Sequence, residues 1–72
     1  MDSVIFAMVR QVAATWYAMA GLQGHSAEQA GEVAMQQASL FLSDLGIVEH
    51  AGPYLDGARK ALGTAQDLGF GA

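Results

Sequence analysis

His25 and His50 are the only imidazoles in a chain of 72 residues, so any acid–base or metal chemistry would have to start from them. His25 precedes Ser26 and Glu28, with Glu32 one helical turn further on. A di-iron carboxylate bundle needs Glu-x-x-His pairs backed by further glutamates. This chain has neither that order nor enough carboxylates on one inner face. Glu49 and His50 adjoin, but a catalytic triad is an arrangement in space rather than a pair of sequence neighbours. Ser39 and Ser43 fall on a polar helix face, without the strained elbow that presents a nucleophilic serine. The glycines sit at helix ends and in loops and do not form a phosphate-binding loop. The chain has no cysteine, which removes thiolate metal sites, disulfides and cysteine nucleophiles. The expectation is a protein that is not an enzyme and holds no metal or cofactor.

The segment Leu42-Ser43-Asp44-Leu45-Gly46 resembles a carrier-protein attachment site only superficially. In carriers the attachment serine follows an aspartate at the start of a helix. Here Ser43 precedes Asp44 at the end of one, and the resemblance is set aside.

Composition narrows the classes further. Hydrophobic residues make up 53% of the chain and charged residues 14%, against about a quarter charged in an average soluble domain. Seven acids face only Arg10, Arg59 and Lys60, for a net charge of −4. That is too few cations to track a phosphate backbone, so direct nucleic-acid binding is not expected. A helix-turn-helix reader built on the last two helices would set Asp56 and Asp67 beside Arg59 and Lys60. The same deficit argues against a membrane-lytic peptide, and the apolar content argues against disorder. Met1-Asp2-Ser3 offers no positive segment of the kind that opens a secretory signal. Synthesis in the cytoplasm is therefore expected, with incorporation into a virion or a membrane-associated assembly open. The run 4–22 is long enough to test as a membrane span. Arg10 and Gln11 lie near its centre, and a central arginine costs about 2.5–3.5 kcal/mol on insertion scales. Lying on a membrane, or packing inside an assembly, fits better.

Three helices are punctuated alike. Gly21-Leu22, Gly46-Ile47 and Gly69-Phe70 each follow a stretch of helical periodicity, and Gly followed by an apolar residue is the pattern of a Schellman C-cap. Asp2 or Ser3 can cap the first helix. Ser26 with Gln29 makes a capping box for the second, with Glu28 in the first turn. Pro53 suits the first position of the third, with Gly52 as N-cap. The expected fold class is all-α, a single small domain over 1–72. Its helices run from about 3 to 20, 27 to 45 and 53 to 68. Short connections make an antiparallel bundle, or a helical hairpin plus a third helix. A chain of this size buries only about 60% of its unfolded surface. With disulfides excluded and a metal not expected, completion by oligomerisation is.

The helical faces suggest where that completion occurs. In the third helix Tyr54, Leu55, Ala58, Ala61, Leu62, Ala65 and Leu68 form one stripe. Gly57 and Gly63 interrupt the same helix, either for a close neighbour or as weak points. In the second helix Ala30, Ala34 and Ala38 admit a close neighbour or simply supply helix propensity, and Val33 with Leu40 forms a secondary outer edge. The first helix is apolar nearly all round. Ile5, Phe6, Met8, Val9, Val12, Ala13, Trp16, Tyr17, Met19 and Ala20 are assigned to the core. The remaining half, with Ala7, Arg10, Ala14, Ala18 and Gly21, should meet a partner. Arg10 has no acid three or four residues away on its own helix, so Asp67, another chain's acid, a lipid phosphate or water must face it. Phe70 is expected to dock on an apolar surface.

The leading functional expectation is a non-catalytic structural subunit of a multimeric assembly: a phage or virus particle, a filament or a membrane-associated complex. Its partner would be itself or a larger protein assembly, with membrane contact open. The alternatives are a small acidic adaptor or inhibitor, meeting a basic surface through Glu28, Glu32 and Asp44, and an interfacial membrane protein anchored by Trp16 and Tyr17. The expected interface set is Ala7, Arg10, Ala14, Ala18, Gly21, Trp16, Tyr17, Val33, Leu40 and Phe70.

Overall fold

The computed structural model describes residues 2–67, with side-chain surroundings through Gly63. The chain folds as the expected all-α arrangement: α1 (Ser3–Leu22), α2 (Ala27–Asp44) and α3 (Ala51–Asp67). All three helices pack on one another.

Local chemistry sets most boundaries. Asp2 caps α1, its carboxylate accepting the N–H groups of Val4 at 2.8 Å and Ile5 at 3.0 Å. The capping box of α2 is complete. Ser26 Oγ accepts the Gln29 N–H at 3.1 Å, and Gln29 Oε1 accepts the Ser26 N–H at 3.0 Å. Gly46, at φ +80°, ends α2 in a Schellman motif. The Ile47 N–H reaches the Leu42 carbonyl at 2.9 Å and the Gly46 N–H that of Ser43 at 2.9 Å.

Two boundaries differ from expectation. Helix α1 runs through Gly21 to Leu22, and its Schellman motif forms at Gly24, φ +93°. There His25 N–H donates to the Ala20 carbonyl and Gly24 N–H to that of Gly21, both at 3.1 Å. Each added residue closes another helical hydrogen bond, and Gly24 supplies the left-handed conformation just as well as Gly21. Helix α3 starts at Ala51, which puts Gly52 inside the helix and Pro53 at its third position. Proline is tolerated there because the first four helical N–H groups have no intrahelical partner. The third glycine pair, Gly69-Phe70, lies outside the described residues, as does the docking expected of Phe70.

The four-residue connection between α1 and α2 turns the chain back, and α3 then runs parallel to α1. The Asp2 N–H donates to Tyr54 Oη at 2.9 Å, and one turn on the Phe6 ring faces Gly57. Among the described residues the core is Val9, Ala13, Tyr17, Ala20, Ala30, Ala34, Ala38, Leu42, Tyr54, Ala58 and Leu62. Six of these eleven are alanine, so they bury little apolar area per residue.

The glycines divide the same way. A Cβ on Gly57 would stand 2.5 Å from Phe6 Cε1, so the absent side chain is what lets that ring lie against α3. Gly31, inside α2, has no such neighbour within 4 Å. Gly31→Ala is therefore expected to stabilise the fold by about 0.5–1 kcal/mol through helix propensity. The thermal midpoint followed by circular dichroism should rise by about 2–8 °C. A lower midpoint would mean that Gly31 is needed for a contact.

Candidate interaction surface

Helix α3 covers one side of the α1–α2 pair. Ala7, Arg10, Gln11 and Ala14 of α1 share a groove with Ala58, Ala61 and Leu62 of α3. Glu28, Gly31, Glu32 and Met35 of α2 line a cleft of about 490 Å³ with Arg59, Leu62 and Gly63. Advancing about 100° per residue around each helix places Val4, Met8, Val12, Trp16 and Met19 on the flank of α1 away from α3. The same count puts Val33 and Leu40 on the corresponding flank of α2. Together they form the outer face of the pair.

That face is apolar and open. Met8 is 40% exposed, Trp16 37%, Met19 41% and Leu40 52%, and Val4 is more exposed than any of these. Val12 and Val33 are half-buried at its floor. It is also almost uncharged. Arg10 is the sole charged residue of α1, and it lies on the α3 flank. On α2 the outer flank carries Gln29, Gln36 and Gln37, with Asp44 at its far end.

The residues expected at an interface separate into groups. Trp16, Val33 and Leu40 gather on the outer face. Ala7 and Ala14 are exposed but border the groove beside α3. Ala18 is exposed, and Gly21 is half-buried within α1. Tyr17 is a correction: at 3% exposure it belongs to the core, because one residue beyond Trp16 the helix has turned by about 100°. Met8 and Met19, assigned to the core, are corrections in the other direction, and Trp16, assigned to both the core and an interface, is exposed with them. All three lie on the flank of α1 that α3 does not cover. Val4 escaped assignment to either face. Its place in the series Val4, Met8, Val12, Trp16, Met19, at steps of three and four, is the signal that marks the stripe.

Arg10 finds an aromatic neighbour rather than an acid. Its guanidinium carbon lies 4.8 Å from the centroid of the Phe6 ring, four residues earlier, which is cation–π range. Arg59 and Asp56 approach at 4.0 Å, both well exposed, a pair worth little. Glu28 and Glu32 border the α2–α3 cleft with Arg59, whereas Asp44 sits at the opposite end of α2. The acidic residues considered for an adaptor therefore do not form one patch. His25 and His50 are exposed, each in a connection between helices. Among the described residues no three His, Asp or Glu side chains come together as metal ligands, and no helix is long and apolar enough to cross a membrane.

A scan against protein-family models gave no match, and neither curated proteins nor solved structures gave a significant one.

Proposed function

We propose that this chain is a non-catalytic structural subunit that acts by helix–helix packing within a multimeric assembly, such as a particle, a filament or a membrane-associated complex. One observation carries the reading. A small domain with a core made largely of alanine leaves Met8, Trp16, Met19 and Leu40 together on an almost uncharged outer face. Those side chains hold apolar area that the core does not use, and exposed patches of this kind mark interaction sites. Covering them would add the burial that a chain of this length lacks on its own.

Sedimentation velocity over a wide concentration range tests the proposal. The expected result is species heavier than the 7.5 kDa chain in detergent-free buffer, growing with concentration. A monomer at every concentration would favour the adaptor. Solubility only in detergent would favour the membrane alternative.

A further inference from the structure

We infer that the outer face of the α1–α2 pair is covered by the same face of a second copy of this chain, in a two-fold dimer with Trp16 inside the contact. The inference rests on the self-assembly reading above and specifies the face and its occupant.

Charge selects the occupant. The protein carries a net charge of −4, so two copies repel through most approaches. Arg10, Glu28 and Glu32 lie toward α3, and Arg59 borders the same α2–α3 cleft. Of the charged residues within α1 and α2, only Asp44, at one end, then brings like charges near when two outer faces meet. An anionic bilayer finds no cation on this face, and a basic partner finds no acid on it except Asp44. A two-fold contact also needs a patch complementary to itself. A stripe of flexible methionines, leucine and valine around one aromatic meets that condition, because methionine adapts to irregular surfaces.

Area agrees. A standard interface of about 800 Å² per partner, a little over half of it apolar, draws about 450 Å² of apolar surface from each copy. The exposed fractions of Val4, Met8, Trp16, Met19 and Leu40 supply on the order of 450 Å² for side chains of this size. The flanking glutamines, Gln29, Gln36 and Gln37, would form the polar rim that such interfaces carry.

Trp16 is the chain's only tryptophan, so its fluorescence reports on this face without a label. Raising the concentration of the unmodified protein should shift its emission to the blue and reduce quenching by acrylamide, in step with the rise in sedimenting mass. Leu40→Glu should preserve the helical circular dichroism and weaken association about tenfold or more. Met8→Glu should do the same from the other helix, which guards against one substitution disturbing its own helix. If the unmodified protein assembles while Trp16 stays as quenchable as in dilute solution, another face is used and this inference is overturned, with self-assembly intact. If it stays monomeric throughout, both fall. A blue shift seen only with phosphatidylcholine vesicles, and no gain in mass without them, makes a bilayer the occupant and overturns the inference.

Discussion

Leu42→Ala is expected to remove a large share of the stability of this fold. Leu42 is wholly buried and is one of the two largest side chains with no exposed surface, the other being Val9. Truncating a buried leucine costs about 2–5 kcal/mol, with the higher values where the site cannot collapse. A domain of this length has roughly 4–11 kcal/mol in total at typical values per residue. The position matters a second time. The Leu42 carbonyl accepts the Ile47 N–H that closes the α2 C-cap, so loosening here reaches the connection into α3. The thermal midpoint should fall by on the order of 15 °C. It should be measured at matched protein concentration, because self-association raises apparent stability by mass action. A fall of less than about 3 °C would show that Leu42 does not anchor the core.

Much of this fold is legible in the sequence because it is set by local chemistry. The Ser26–Gln29 capping box and the Gly46-Ile47 stop involve residues a few positions apart, and each formed where the pattern placed it. The end of α1 was ambiguous for the same local reason. Gly21 and Gly24 can both adopt a left-handed turn, and sequence alone does not say which one the helix reaches. The start of α3 was ambiguous because proline is acceptable anywhere in the first turn.

The outer face was harder to read because it depends on which flank of the α1–α2 pair α3 covers, and that is a tertiary property. Half of the α1 wheel is apolar, and periodicity treats Val9 and Met8 alike. Only the packed structure shows that Val9, Ala13, Tyr17 and Ala20 are buried while Met8, Trp16 and Met19, on the flank away from α3, stay exposed. Nor does the charge pattern reveal the partner of Arg10, because Phe6 is not an acid. Its position four residues earlier was nevertheless enough to suggest a contact along one helix face.

Ala34→Leu should separate the two meanings that alanine carries in α2. If Ala30, Ala34 and Ala38 were there only for helix propensity, leucine would serve nearly as well, since the two rank close together. All three are wholly buried, so leucine at position 34 must place a larger side chain where no space exists. Overpacking of this kind typically costs about 1–3 kcal/mol, because neighbours leave their preferred rotamers or the helices part. The same substitution at exposed Ala18 of α1 is the control. It alters propensity equally and meets only solvent, so stability should change by no more than about 0.5 kcal/mol. Urea denaturation of both variants should therefore differ by about 2 kcal/mol in unfolding free energy, with Ala34→Leu the weaker. Equal midpoints would mean that α2 is not held close by its alanines. The reading of Ala30, Ala34 and Ala38 as positions that admit a close neighbour would then lose its basis.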